Sequence, residues 1–275
     1  MIFTLELIFI GAITGVVSGL IGVGGGFIFI PLLTLIGVPM RSAAGLSLLF
    51  VACTATSGGV SHYRQGTQDP VVAGAVIPGA LLTVPVGSYC SGILPNSVLE
   101  VLFGLLVLAA ATALRRQSIV QKPLPETPIP ASGTSLPPWV VVREAKVLGV
   151  EYSFPVSLLR GVAVGGITGF LSGLLGLGGG SVLVILLILV VGVPTPIAAG
   201  TSLLAIVIPA LAGAVTHYGL GHISVASAVP TVLAGILGAA FGARGTVILS
   251  PPQLQSIMTW LLALVAIYMI GRGIL

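Results

Sequence analysis

Two runs of glycine constrain this chain more than anything else in it: Gly22-Val23-Gly24-Gly25-Gly26 and Gly176-Leu177-Gly178-Gly179-Gly180. Each lies within long apolar sequence. A glycine costs about 1 kcal/mol relative to alanine inside a helix, so three in a row should weaken or break one. Within a membrane, broken backbone exposes N–H and C=O groups that hydrocarbon cannot satisfy. It is tolerated only where protein buries it or where it lines a polar cavity.

Composition decides that a membrane is the right solvent. Of the 275 residues, 56% are apolar and only 6% are charged, against roughly 25% charged in ordinary soluble chains. About 20 apolar residues suffice to cross the hydrocarbon core as a helix, and the apolar blocks here reach that length. They lack the strict alternation of outer-membrane strands. The expected fold class is all-α, a polytopic integral membrane protein. A cleavable signal peptide is not expected, because the first residues carry Glu6 and no basic n-region.

The chain is internally duplicated. Gly11-Ala12-Ile13-Thr14-Gly15, followed by Ser18-Gly19-Leu20, matches Gly165-Gly166-Ile167-Thr168-Gly169, followed by Ser172-Gly173-Leu174. The glycine clusters come next in the same register, then Gly37-Val38-Pro39 with Gly192-Val193-Pro194. Ala43-Ala44-Gly45-Leu46-Ser47 pairs with Ala198-Ala199-Gly200-Thr201-Ser202, and His62-Tyr63 with His217-Tyr218. Three regions follow: a first transmembrane repeat over 1–116, a proline-rich linker over 117–156, and a second repeat over 157–275. Six of the ten basic residues fall in or beside the linker, which places it in the cytoplasm by the positive-inside rule.

Each repeat contains five apolar segments: about 3–21, 27–38, 42–60, 70–93 and 97–114 in the first, and 157–175, 181–193, 196–215, 223–245 and 252–271 in the second. If the first two segments form one folded span, the protein has eight spans and parallel repeats. If they are separate, it has ten and the repeats are inverted. The flanking charges fit either arrangement, and inversion is favoured because it readily generates two-sided access.

The glycine triplets are the first candidates for chemistry. A helix starting after Gly24, Gly25 and Gly26, or after Gly178, Gly179 and Gly180, offers free N–H groups and the positive end of its dipole to an anion. The spaced glycines, such as Gly11, Gly15 and Gly19, read instead as close helix packing. Ser47, Thr201 and Ser202, with Ser18 and Ser172, are hydroxyls repeated in both halves. They either donate to an anion or bond back to the preceding turn. His62, Tyr63, His217 and Tyr218 are candidates for gating or proton linkage, the alternative being placement at the headgroup level. Arg244 is the best candidate for a partly buried cation facing an anion, with snorkelling to the interface the favoured reading. Asp69 reads as a loop cap. Cys53 and Cys90 read as buried thiols, and three scattered histidines make no metal centre. No buried carboxylate is expected, which weakens a proton relay and argues against a cation pathway.

Two copies of Gly-x-x-x-Gly-x-x-Ser-Gly-x-x-Gly-x-Gly-Gly-Gly, each followed by Gly-Val-Pro, Ala-Ala-Gly-x-Ser and His-Tyr, resemble the sulfite exporter TauE/SafE family. The resemblance covers both repeats and omits the linker. It implies a bacterial or archaeal inner-membrane transporter of small sulfur-containing anions such as sulfite or sulfoacetate, commonly an exporter. Pro31 is replaced by Ile185 in the second repeat, so the halves of a shared site are not identical. The expected partners are the substrate anion and the lipid bilayer, with two copies pairing as a homodimer left open. Neither cofactor nor nucleic acid is expected. A passive anion channel and a non-transporting membrane subunit remain the alternatives.

Overall fold

The computed structural model describes residues 2–21, 24–119, 137–147, 150–245 and 251–274. Among them are ten α-helices: α1 (Ile2–Ile21), α2 (Gly26–Leu35), α3 (Met40–Arg64), α4 (Pro70–Ile93), α5 (Asn96–Ile119), α6 (Leu158–Leu175), α7 (Gly180–Leu186), α8 (Thr195–Gly219), α9 (Val225–Gly245) and α10 (Pro251–Ile274). A five-residue π-helical turn (Leu187–Val191) extends α7. The chain is all-α in class, and six of these helices are long and apolar enough to cross a membrane. Leu82, Phe241, Trp260 and Leu264 are among the large apolar side chains that stay mostly exposed, as a lipid-facing surface requires.

The expected segments coincide with these helices to within a few residues, and local chemistry sets several boundaries. Asp69 caps α4 by accepting from Val71 N and Val72 N, with Pro70 at the first helical position. The cap reading of Asp69 therefore holds. At the other kind of boundary, α6 ends on Gly176 in the left-handed conformation, whose N–H donates to Ser172 O.

The region expected as a linker is divided. Helix α5 runs on to Ile119, the proline-rich stretch over 120–136 lies outside the described residues, and β1 (Val140–Val147) pairs antiparallel with β2 (Val150–Ser157). The second half of the linker is thus a paired hairpin rather than a loose tether. Its Val147, Phe154 and Val156 join the buried cluster that contains Val72, Val76 and Leu187. Arg143 of β1 bonds Asp69 through Nε at 2.9 Å.

Chain directions follow from named contacts. Helices α3 and α8 run antiparallel, because Gly45 near the start of α3 abuts His217, while Gly200 near the start of α8 abuts Thr67 just beyond α3. Helices α5 and α10 are likewise antiparallel, with Glu100 of α5 bonded to Arg272 of α10 at 3.2 Å. In contrast, α1 lies parallel to α9, and α6 parallel to α4. In those two pairs the spaced glycines do what was expected of them. A Cβ on Gly15 would sit 2.2 Å from Gly235 O, and one on Gly173 would sit 2.1 Å from Val84 O. Only glycine permits helix axes this close. The first helix of each repeat therefore packs on the fourth helix of the other.

Candidate functional site

The two glycine breaks meet near mid-depth of α3 and α8. Gly24 and Gly25 have φ of +79° and +74°, and Gly178 and Gly179 have φ of +67° and +76°. These are left-handed values that side-chain-bearing residues rarely adopt. They let the chain leave one helix and start the next within a few residues. Val51, in the middle of α3, faces both Gly24 and Gly178, and Ile206, in the middle of α8, faces both Gly24 and Gly179. A Cβ on Gly26 would lie 2.8 Å from the Leu177 carbonyl oxygen of the other break and 3.0 Å from Ser47 Oγ. Gly24, Gly25, Gly26, Ser47, Gly178 and Gly179 are thus brought together. Gly180, the first residue of α7, is buried beside them in sequence.

Around the first break, hydroxyls are left without protein partners. Thr14 and Ser47 are both fully buried, and neither side-chain oxygen has a hydrogen-bond partner. An unsatisfied buried hydroxyl costs about 1–3 kcal/mol, and the two beside this break are free to take a partner from outside the protein. Thr14 and Ser18 both lie against Gly25. Thr54 ties the break to α3, donating to Gly24 O at 3.2 Å and back to Phe50 O at 2.9 Å. Stacking of Phe29 on Phe50 at 4.3 Å holds α2 against α3.

The second break differs. Thr168 donates to Val164 O at 2.8 Å, and Ser202 donates to Ala199 O at 2.8 Å. Both hydroxyls are spent on their own helices. Thr201 accepts from Asp69 N at 2.9 Å, which fixes the start of α8 to the start of α4. Of the three hydroxyls expected to bind an anion, then, Ser47 is free, while Thr201 and Ser202 are engaged elsewhere. The second break borders a small cleft instead. Thr168, Ser172, Gly178, Gly179, Ile206 and Pro209 help to line it, and its cavity volume is about 10 Å³, room for about one water.

The His-Tyr pairs sit at opposite ends of the antiparallel α3–α8 pair, away from the glycines. Tyr63 and Tyr218 are exposed. His62 meets Thr67 Oγ1 through Nδ1 at 2.8 Å. His217 is fully buried and meets both Gly173 O and His222. Two further expectations need correction. Asp69 and Glu100 are buried carboxylates; both sit at helix ends and are paired with arginine, which offsets the cost of their burial. Cys53 and Cys90 are half-buried free thiols. Arg244 belongs to α9, but its side chain lies outside the described residues. Thr14 and Thr54 were not singled out beforehand. The motif around Thr14 was visible, but an identical motif surrounds Thr168, whose hydroxyl is satisfied.

A helical protein with an apolar flank and six helices of spanning length is a multi-pass membrane protein. Its sequence matches the family described as Sulfite exporter TauE/SafE over residues 7–269, and the chain belongs to that family. It is 26% identical over 281 residues to the probable membrane transporter protein YunE of Bacillus subtilis, covering 98% of this chain and 97% of the relative. A probable membrane transporter of Methanocaldococcus jannaschii is also 26% identical, over 96% of this chain and 94% of its own length. One from Xylella fastidiosa is 41% identical over 42% of this chain and 46% of its own. No solved structure matches. The family and the names of these relatives support a membrane-transporter role for this chain.

Proposed function

We propose that this chain is a secondary carrier of small sulfur-containing anions, sulfite or an organosulfonate such as sulfoacetate, exporting them across the inner membrane by alternating access. One observation carries the reading: two helix breaks from matching places in the chain meet at mid-depth, beside two buried hydroxyls with no protein partner. Uncharged donors of this kind bind an oxyanion without trapping it, because the desolvation cost of a fixed buried cation is absent. The N-terminus of α2 adds backbone N–H groups and the positive end of its dipole. In this reading Thr14, Ser47, Ser18 and the Gly24–Gly26 backbone face the anion from one side, and Gly178–Gly180 from the other.

The contact pattern supports inverted repeats. Helix α3 opposes α8 and α5 opposes α10, so repeat one starts from the end where repeat two finishes. The hairpin and linker then lie on the cytoplasmic side. Inverted repeats around a midplane site are a common basis for alternating access.

The test is counterflow. Proteoliposomes preloaded with unlabelled sulfite should accumulate labelled sulfite saturably, with sulfoacetate, taurine and sulfate ranked as competitors. Flux that neither saturates nor shows counterflow would reject a carrier, and the absence of exchange for every one of these anions would reject the substrate class.

A further inference from the structure

The end of the molecule where α3 begins and α8 finishes holds a titratable cluster that the proposed anion site does not use. His217 Nε2 lies 3.0 Å from Gly173 O, and His217 Nδ1 lies 3.0 Å from His222 Nδ1. A carbonyl only accepts, so Nε2 of His217 carries a proton and donates. In the neutral ring Nδ1 is then an acceptor, and His222 must donate to it from its own Nδ1. His222 Nε2 is left unprotonated, on a half-buried ring in the loop after α8.

This arrangement takes up one proton and refuses two. A proton arriving at His222 Nε2 gives an imidazolium that still donates from Nδ1. Transfer of that Nδ1 proton to His217 Nδ1 leaves His222 neutral and protonated at Nε2, with His217 as the imidazolium. Both hydrogen bonds survive the transfer. A second proton would set two N–H groups against each other across 3.0 Å. The positive charge sits at the C-terminal end of α8, where the helix dipole favours it.

The groups facing the pair come from three helices. From α3 comes Arg41, whose charge acts on His222; it donates through Nη2 to Leu94 O at 2.9 Å, two residues beyond the Gly92 that faces His222, and its buried Nε has no partner. Helix α4 presents Gly92, and α6 presents the Gly173 carbonyl. Burial, and secondarily the Arg41 charge, hold the His222 ring below the usual histidine range. An anion on Arg41 would cancel that repulsion. The corresponding place at the opposite end has His62 against the Thr67 hydroxyl, with no second imidazole.

We propose that Arg41, His222 and His217 form a coupled mouth at one end of the transporter, where a small oxyanion arriving at Arg41 is accompanied by one proton shared between the two imidazoles. The proposal rests on the reading of the chain as an anion carrier and supplies its coupling ion. Because linkage is reciprocal, proton and anion each raise the affinity for the other.

Two measurements test it. Solid-state 15N NMR of histidine-labelled protein in lipid, between pH 5 and 8, should show His217 and His222 shifting together in one step, as a coupled pair does. Arg41→Gln should move that step to higher pH. If His222 titrates while His217 stays fixed, or if Arg41→Gln leaves the step in place, the proposal is wrong. In proteoliposomes, sulfite flux driven by a pH gradient is then compared with sulfite counterflow. His222→Gln should lower the ratio of the first to the second by roughly tenfold, the scale of an ordinary coupling free energy; an unchanged ratio would overturn the coupling. If the wild type shows no counterflow at all, the carrier reading fails, while the NMR result still decides whether the pair shares a proton.

Discussion

The two glycine breaks share a motif and a backbone conformation, yet they use their hydroxyls in opposite ways. At the first, Thr14 and Ser47 are buried without partners and Thr54 ties the break to α3. At the second, the corresponding Thr168 and Ser202 bond back to their own helices, Pro209 stands where Thr54 would be, and a small cleft opens. The two matching stretches therefore share a backbone conformation without sharing their hydrogen bonding. Under the proposed function, the first break would supply the hydroxyls that hold the anion, and the second only backbone. A single anion between them would be gripped unequally, which suits a carrier that must release what it binds.

The largest expected effect separates the breaks by steric space. Gly25→Val must accommodate a side chain at φ +74°, with Ser18 Cβ 2.8 Å from the new Cβ. Transport should vanish, and thermal unfolding should show a loss of at least about 2 kcal/mol. Gly179→Ala meets nothing closer than 3.8 Å, so its cost is the left-handed conformation alone, about 1–2 kcal/mol. It should fold and transport more slowly in the counterflow assay. Equal damage from both substitutions would erase the distinction.

A smaller effect tests the hydroxyls directly. Thr14→Val and Ser47→Ala remove groups that bond to no protein atom, so stability should be unchanged or rise by about 1 kcal/mol. Half-saturation for the anion should rise about tenfold with each, as the loss of one hydrogen bond to a charged ligand implies. Thr168→Val and Ser202→Ala should leave half-saturation within about twofold, on the ground that a hydroxyl already bonded to its own helix has little to offer a ligand. The reverse pattern would move the anion to the second break. The mildest change is Thr54→Val, which removes the hydroxyl bond to Gly24 O. It should lower stability by about 1 kcal/mol and slow transport without altering competitor ranking.

Most of the fold was legible because apolar runs of spanning length, interrupted by glycine and proline, fix helix positions almost by themselves. Even the spaced glycines of α1 and α6 announced close packing, though their partners, α9 and α4, could not be read from them. The β-hairpin escaped because repeated prolines over 123–138 dominated the linker's composition. Yet Val140-Val141-Val142 and the valines near 147 and 150 carry the β-branched signal. The candidate hydroxyls were only half legible. Whether Thr14 or Thr168 bonds to its own helix is set by a side-chain torsion and by neighbours from other helices, and identical local motifs leave that undecided. His222 reads from the sequence only as the third of three scattered histidines, because its relation to His217 depends on the turn after α8 rather than on a repeated motif. The buried carboxylates escaped for a similar reason, since Arg143 and Arg272 reach them from distant sequence.

The crossed packing also bears on motion. Because α1 is held by α9 and α6 by α4, bodies that rocked past each other under the proposed alternating access would each combine helices from both matching stretches.

That same interlocking governs how the protein is made. Helix α1 leaves the ribosome more than two hundred residues before α9, whose glycines it needs for its closest contacts. Until then its small-residue stripe faces lipid or insertion machinery, and the same holds for α4 while α6 is awaited. Neither half should mature alone. Co-expressed halves split within 120–136 should find each other, since every intimate helix pair they need is one that joins the two pieces.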